Sequence, residues 1–351
     1  LVADALPIEP DDFVLDMCGA PGGKSCEIAS RLTGEGVLIA NDIEASRARI
    51  LSENIERFGL DNTIVTNVDP MRFTKQFQEA FDKIVLDAPC SGEGMFRKLE
   101  QAIDTWSEEK VLECAHIQKN LLKGAYEMLK QGGMVIYSTC TYSYEENEAM
   151  VHYAVDQLGF ELLPLTKSYG LCPGVDLDEV VRCYPHHYRG EGHFIALLRK
   201  PGNSPRKQVR TMKSQVNPAD LKVLKAFYQE NLNKKVPSYI IENNGHLYAI
   251  KKNFPELKGI RVLRNGLYLG EVRKNRFIPS YSLALTLTKQ DVKRSYDYPS
   301  ESEEIKKYIH GETLEGTGEK GFGVIFVDGY PLSFYKESNQ VKNLFPKGLR
   351  R

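Results

Sequence analysis

An α/β fold, with a doubly wound sheet carrying helices on both faces and a smaller basic α+β part after it, is what these 351 residues predict. Three observations carry that expectation. Short apolar runs alternate with helical stretches through the first two hundred residues, the pattern of a mostly parallel sheet. Several of those runs end abruptly in an acid or a thiol followed by turn formers. Finally, charge divides unevenly along the chain: residues 1–200 hold 19 Lys and Arg against 32 Asp and Glu, a net of −13, while residues 201–351 hold 27 against 15, a net of +12. The basic half is the expected polyanion-binding surface.

The length predicts two or three domains. No window approaches an eighteen-residue uncharged apolar run, so no transmembrane helix is expected. Seven cysteines without regular spacing, and no secretory leader, predict a reduced, cytoplasmic protein. The chain opens Leu1-Val2-Ala3-Asp4 without an initiator methionine, from which a longer natural protein is expected.

Taken in order, Asp12-Phe13-Val14-Leu15-Asp16 reads as a first strand, Met17 to Ser25 as a glycine-rich turn, and residues 26–32 as a helix. The glycines let a ligand approach the backbone closely, and the helix N-terminus offers amides to an anion. A triphosphate loop needs glycine six positions before its lysine. Cys18 stands there, with Gly19 one residue late, so a nucleoside triphosphatase is an out-of-register alternative. The second strand (36–41) ends at Asp42, twenty-six positions after Asp16 and suitably placed for a ribose. A helix over 44–58 and a third strand over 63–67 lead to Asp69. The fourth strand holds the continuous run Ile84-Val85-Leu86 of a sheet interior and ends in Asp87-Ala88-Pro89-Cys90. Pro89 cannot join a hydrogen-bond ladder, which leaves Asp87 and Cys90 in the crevice at the strand's C-terminal end. Each of these acids also reads as an ordinary cap or turn residue.

Helical spacing of Val111, Leu112, Ile117, Leu121, Leu122 and Met128 predicts a helix over 108–130, with a break at Gln131-Gly132-Gly133. The fifth strand, 134–140, ends in Cys140. Ser143-Tyr144-Glu145-Glu146 fits a capping box, so a helix is expected from Ser143, its dipole favouring a thiolate at Cys140. Both cysteines read equally as buried structural residues. Strands over 179–184 and 192–198 close the domain. Cys183, His186, His187 and His193 lack paired ligand spacing, and no metal site is expected.

Residues 201–216, rich in Pro, Gly, Ser, Lys and Arg, read as a linker. A helix over 218–232 follows, then strands over 247–250, 259–262 and 267–272, a helix over 301–310, strands over 323–327 and 330–334, and a basic tail over 342–351. Arg273-Lys274-Asn275-Arg276-Phe277 and Lys293-Arg294-Ser295-Tyr296 interleave basic and aromatic residues, a pattern suited to phosphates and exposed bases.

Two thiols fifty positions apart, each ending a strand of one sheet, could converge on one crevice. That pairing suits methylation at carbon 5 of a pyrimidine, where the ring carbon is too weak a nucleophile by itself. A thiolate adding at carbon 6 activates it, and a base or second thiol is then needed for release. Asp87 could hydrogen-bond the ring N3.

These residues resemble a known family, the RsmF/NSUN-like RNA cytosine-5 methyltransferases. Leu15-Asp16-Met17-Cys18-Gly19-Ala20-Pro21-Gly22-Gly23-Lys24 is similar to the family's S-adenosylmethionine loop. Leu86-Asp87-Ala88-Pro89-Cys90-Ser91-Gly92-Glu93-Gly94 and Tyr137-Ser138-Thr139-Cys140-Thr141 are similar to its two cysteine motifs. The resemblance implies a Rossmann-like S-adenosylmethionine-dependent methyltransferase sheet, with Cys140 the nucleophile and Cys90 the thiol that assists release. It also implies that Cys18, Gly19, Ala20, Pro21, Gly22, Gly23, Lys24, Asp42, Asp69 and Asp87 hold S-adenosyl-L-methionine, Asp42 at the ribose and Asp69 near the adenine. Gly266-Leu267-Tyr268-Leu269-Gly270-Glu271-Val272 and Leu344-Phe345-Pro346-Lys347-Gly348-Leu349-Arg350 are similar to the bacterial RsmF-type branch. That branch implies a central domain, a PUA-like RNA-binding domain and 16S (small-subunit) rRNA, free or in the 30S subunit, as the partner of a monomer, with neither DNA nor membrane. Family members also carry an RNA-binding segment before the catalytic sheet. The expected division is 1–200 catalytic, 201–216 linker, 217–265 central basic α+β and 266–351 PUA-like. Transfer RNA as substrate, a P-loop-like triphosphatase and a non-catalytic RNA-binding protein are the alternatives.

Overall fold

The computed structural model describes every residue except Leu99, Tyr169, Tyr188 and Arg351, and the side chain of Gln101. The last residue of the expected basic tail therefore lies outside the described residues. The chain divides into two units: Leu1–Ser52 with Thr63–Thr211 and Pro255–Leu263, and Glu53–Asn62 with Met212–Phe254 and Arg264–Arg351.

The first unit is built on β1 (Phe13–Asp16), α1 (Gly23–Arg31), β2 (Val37–Asn41), α2 (Ala45–Arg57), β3 (Thr63–Thr66), β4 (Phe81–Asp87), α3 (Glu108–Met128), β5 (Leu129–Thr139), α4 (Glu148–Tyr153), β6 (Glu161–Leu163), β7 (Val181–Cys183) and β8 (His193–Arg199). Every residue of β1, β2 and β3 is buried, because helices cover both faces, which is why these strands read as unbroken apolar runs rather than alternating ones. Strand order runs β3-β2-β1-β4-β5-β8-β6, with β7 also on β8. The first five strands are parallel, and β8 returns antiparallel to β5. The order reverses between β1 and β4, which opens a crevice at their C-terminal ends. The registers Asp16↔Val85 and Asp87↔Ser138 bring the ends of β1, β4 and β5 level.

The opposite end of the sheet is an ionic clasp. Asp82 accepts from the Phe13 amide (2.8 Å) and pairs with Lys130 (2.7 Å) and Arg206. Lys83 pairs with Asp12 at 3.2 Å. Residues 201–211, expected to be linker, are fastened here: Lys207 bonds Glu79 through its amide (2.9 Å) and its ammonium (2.7 Å). Basic residues that look like linker composition are matched to acids at the N-terminal ends of strands.

Two differences from the expected elements bear on the site. The break expected at Gln131-Gly132-Gly133 lies inside β5, as an irregular register against β4 with Gly132 at φ +79°. The helix expected from Ser143 begins at Glu148, with Asn147 at its N-cap. Residues 141–147 form a turn instead, and Glu146, expected in a capping box, is fully buried.

The second unit holds α5 (Pro218–Asn231) and an antiparallel sheet ordered β12-β11-β10-β9, from β9 (Ile240–Asn243), β10 (His246–Ala249), β11 (Leu267–Arg273) and β12 (Arg276–Pro279). This sheet runs across position 265/266, where the division implied by the family resemblance set a boundary, because β11 pairs with both β10 and β12. A second sheet is ordered β13-β14-β15-β16, from β13 (Ser295–Tyr298), β14 (Gly321–Val327), β15 (Tyr330–Glu337) and β16 (Val341–Asn343). Alternation along β14 sends Val324 and Phe326 into the core shared with α5 and β11. Ile325 faces a second core with Ile305, Tyr308 and Phe345. The strand expected over 259–262 forms at Val262–Asn265 and belongs to neither of these two sheets but to the edge of the large sheet, next to β3.

The interleaved basic and aromatic stretches differ from expectation. Arg273, Lys274 and Arg276 are exposed at the β11–β12 turn, where Lys274 and Asn275 have φ +47° and +57°. Phe277, however, is buried in the core, and the Tyr296 hydroxyl is tied to Glu337 at 3.0 Å. Lys274 and Arg276 are exposed to phosphate, Arg273 is paired with Glu271 at 3.1 Å, Lys293 and Arg294 bond Gln229 and Asn231, and these two aromatics are structural.

Candidate active site

The end of β4 and the end of β5 bring two thiols together: Cys90 Sγ lies 3.2 Å from Cys140 Sγ. The Cys140 amide also donates to Cys90 Sγ at 3.3 Å. The hydrogen bond from Cys90 lowers the Cys140 thiol below its ordinary range. Burial and the nearby Asp87 oppose that shift, and the Lys24 ammonium assists it. Cys90 moves the other way, raised by the same bond, by deeper burial and by the Glu146 carboxylate. Cys140 is thus the sulfur disposed to ionise, with Cys90 as its proton-bearing partner. The helix terminus expected to favour the thiolate starts eight residues beyond Cys140, outside the range of a terminal dipole.

Around the thiols, side chains from three segments fix the loops. Glu146 accepts from the Ser91 amide (3.1 Å), the Ser91 hydroxyl and Gln118 (2.8 Å); burial raises its pKa against those bonds. Glu93 accepts from Thr141 Oγ1 and the Tyr142 amide, each at 2.7 Å, and from Ser143 Oγ and Trp106 Nε1, each at 2.9 Å. Burial resists its ionisation, but these four donors together lower its pKa. The Gly94 amide donates to the Cys140 carbonyl at 2.8 Å. A Cβ at Gly94 would lie 2.8 Å from both the Cys140 and Gly192 carbonyl oxygens, so backbone would have to shift beside the nucleophile. Gly94→Ala is therefore expected to lower the rate of methyl transfer by roughly 100-fold, since a misplacement near 1 Å has about that effect. Single-turnover rates beside cofactor affinity check this, the affinity being expected to stay within about twofold.

A cavity of about 330 Å³ opens at the ends of β1 and β4, lined by Asp16, Cys18, Gly19, Ala20, Pro21, Gly23, Lys24, Asp87 and His193, among others, Asp87 standing three residues before Cys90. Lys24 Nζ bonds Asp87 Oδ2 at 2.8 Å, and Ser138 Oγ donates to Asp87 Oδ1 at 2.6 Å. With Lys24 engaged by Asp87, the arrangement does not favour the triphosphate alternative. Gly22, at φ +118°, lets the turn enter α1, and Gly19 has no room for a Cβ, which would meet Ser25 Oγ at 2.7 Å. Burial pushes the Cys18 thiol up. Asp16 is fully buried; its Oδ2 accepts from Ser25 Oγ at 2.6 Å, while its Oδ1 makes no well-formed hydrogen bond among the described residues. Burial pushes its pKa up to about 7. An orphaned carboxylate oxygen on this wall fits a ligand carrying an ammonium group, as S-adenosylmethionine does.

Two expected cofactor residues lie differently. Asp42 accepts from the Glu44 amide (2.9 Å) and the Ala20 amide (3.3 Å), with Arg47 at 3.5 Å, and is not part of the cavity wall. Asp69 caps the turn Pro70–Phe73 by accepting from Met71 at 2.9 Å, and opens on a separate cavity with Arg72, Lys75 and Lys258. The cap reading describes both contacts. His193, weighed only as a metal ligand, lies on the cavity wall with Nδ1 3.0 Å from the Thr139 carbonyl; burial and Lys24 lower its pKa. Among the described residues no group of three or more His, Cys, Asp or Glu converges as a metal site would require. Glu93, Glu146, Ser91 and Gln118 escaped sequence reasoning. Only the acid inside Cys90-Ser91-Gly92-Glu93 offered a signal.

A parallel sheet with a glycine-rich loop after β1 and reactive groups at the ends of β4 and β5 defines a Rossmann-like methyltransferase with a thiol pair. Comparison with known proteins narrows the class. The profile described as 16S rRNA methyltransferase RsmB/F matches residues 3–199; that of the RsmF rRNA methyltransferase first C-terminal domain matches 226–287, and that of the methyltransferase RsmF PUA domain 295–351. A ribosomal RNA small subunit methyltransferase F from Vibrio vulnificus is 34% identical over 97% of this chain and 74% of its own. One from Photobacterium profundum is 34% identical over the same shares. Among solved structures, NSun6 from Pyrococcus horikoshii with SFG is 35% identical with a TM-score of 0.52, covering 57% of this chain and 51% of that one. The crystal structure of PH0851 is 31% identical with a TM-score of 0.54, covering 57% and 45%. The chain belongs to the RsmB/F family of 16S rRNA methyltransferases, with the RsmF C-terminal and PUA domains. It is an S-adenosylmethionine-dependent methyltransferase with RNA as its substrate class. Among the described residues no helix is long and apolar enough to cross a membrane.

Proposed function

We propose that this chain forms 5-methylcytosine in small-subunit ribosomal RNA, by attack of Cys140 at carbon 6 of the cytosine and release assisted by Cys90. The observation that carries the reading is the 3.2 Å thiol pair, in which Cys90 follows three residues after Asp87 of the loop-lined cavity. Cys140, lowered by Cys90 and Lys24, supplies a thiolate; bond formation at carbon 6 moves electron density to carbon 5. S-Adenosylmethionine, when bound, supplies an electrophilic methyl group. Asp87, held by Lys24 and Ser138, would accept a hydrogen bond from the ring N3 once that nitrogen takes a proton as the adduct forms, and would orient the base. Solvent water acting as base then takes the proton from carbon 5, the electron pair of that bond restores the 5,6 double bond and breaks the bond to sulfur, and the Cys140 thiolate that leaves is stabilised by the hydrogen bond that the Cys90 thiol would donate.

Cys18 to Lys24, with the Asp16 carboxylate, would hold the cofactor, the orphaned Asp16 oxygen receiving its ammonium. Asp42 and Asp69 are assigned to the ribose and adenine by family resemblance alone. We read the partner as the RNA of the 30S subunit, met by a monomer in the cytoplasm with no role for DNA, and the exposed Lys274 and Arg276 as phosphate contacts. Incubation with labelled S-adenosylmethionine and either 16S rRNA or 30S subunits, followed by nucleoside mass spectrometry, tests this. Label in 5-methylcytosine is expected. A folded sample that binds the cofactor yet labels neither RNA, or labels another nucleoside, would refute it.

A further inference from the structure

A further cavity, of about 420 Å³, is walled by Phe96, Trp106 and Tyr142, with Glu93 and Ser143 at its polar end, Tyr142 and Ser143 following Cys140 closely in the chain. The mechanism above leaves it unused. Trp106 is the chain's single tryptophan and is 38% exposed, so it is not a core side chain. It is nevertheless tethered, because its indole N–H donates to Glu93 at 2.9 Å. An indole held by its edge keeps its faces for stacking. Tyr142 is braced from behind by Tyr184, ring centroids 5.6 Å apart and planes 20° from parallel. Arg97 and Lys98, both exposed, follow Phe96 directly, and the Arg97 charge acts on Tyr142. Flat rings edged by exposed cations are the chemistry of an unpaired nucleotide, base on aromatic and phosphate on base.

We propose that this cavity takes an unstacked base of the substrate RNA next to the target cytosine, sandwiched by Trp106 and Tyr142, with its phosphate near Arg97 and Lys98. The proposal rests on the RNA methyltransferase reading. A cytosine reaching Cys140 must leave its own stack, which exposes the neighbouring base to another platform. Glu93 is already engaged by four donors, so the cavity recognises a π-face rather than one base edge. The same carboxylate fixes the Tyr142 amide and Thr141, immediately after Cys140, so Trp106 and Glu93 act as positioning residues: filling the cavity steadies the nucleophile's loop.

Because Trp106 is the sole indole, its fluorescence reports on this cavity alone. Titration with a single-stranded oligonucleotide carrying the target cytosine is expected to quench it saturably, and an abasic residue beside the target is expected to abolish most of the quenching. Trp106→Ala is expected to weaken labelled-oligonucleotide binding by roughly tenfold or more, the size of one lost base stack. It is expected to raise KM for RNA more than it lowers kcat, with cofactor affinity unchanged, and Trp106→Phe is expected to restore most of the binding. Unchanged emission while the oligonucleotide binds, or equal affinity of the Ala and wild-type proteins, would overturn the proposal. Methyl incorporation is read separately, so its absence alongside intact quenching would sink the methyltransferase reading and leave the base site standing.

Discussion

Cys90→Ala is expected to accumulate a covalent protein–RNA adduct when incubated with S-adenosylmethionine and small-subunit RNA, whereas Cys140→Ala forms none and loses methyl transfer by about 10⁴-fold or more. The asymmetry follows from the directions in which the two thiols move. Cys140 is lowered chiefly by the hydrogen bond from Cys90, so it holds the negative charge; Cys90 is raised and keeps the proton. Removing Cys90 leaves attack possible but withdraws the donor that receives the departing sulfur, and the adduct persists. The same substitution has a consequence in pH. A thiol whose pKa is lowered is ionised at lower pH, so losing the donor is expected to move the alkylation profile of Cys140 to higher pH. Mass spectrometry of the peptide bearing Cys140, alkylated across a pH series, reads that shift. An adduct with Cys140→Ala and none with Cys90→Ala would exchange the two roles, and superimposable alkylation profiles would remove the hydrogen bond as the cause of the lowered pKa.

How far the site was legible follows from where its interactions lie. Asp87-Ala88-Pro89-Cys90 and the run ending in Cys140 could be read because a strand's end is a local event: an apolar run, then a proline or polar turn. Their convergence followed from strand adjacency in a parallel sheet. The start of α4 was not legible. The Ser143 hydroxyl, which a local reading assigns to a capping box with Glu146, is taken by Glu93 from fifty residues away, together with the Tyr142 amide, and Glu146 turns inward to Ser91 and Gln118. Long-range carboxylates override the local cap, and the chain turns once more before it coils. Asp42 and Asp69 illustrate the reverse case, in which the local alternative describes the contact, each accepting from an amide two residues on. In the second unit, Phe277 looked available because its neighbours are basic, yet strand alternation sends it into the core while Arg276 and Ile278 face outward.

The other large expected effect is on stability, and it begins at the same loop. Glu148, the first residue of α4, is fully buried, and Arg182 on β7 is 3% exposed. The guanidinium grips the carboxylate with two bonds, Nε to Oε1 at 2.7 Å and Nη2 to Oε2 at 2.5 Å, and donates through Nη1 to the Tyr142 carbonyl at 3.0 Å. The Val175 amide adds one bond to Glu148 at 2.9 Å. Arg182→Met would leave a buried carboxylate with that single donor, a state that costs about 3–5 kcal/mol. For a unit of this size the corresponding fall in Tm is roughly 10 °C. Replacing both partners, Arg182→Met with Glu148→Leu, is expected to recover most of the loss, because a buried pair contributes far less than the penalty for breaking it. Denaturant unfolding followed by Trp106 fluorescence measures both. A single substitution within about 1 kcal/mol of wild type, or a double no better than the single, would show that solvent reaches the pair. The double variant also separates fold from function, because it restores burial without restoring the bond to the Tyr142 carbonyl. If that bond helps to hold the turn beside Cys140, the double variant folds at near wild-type stability and still transfers methyl groups slowly.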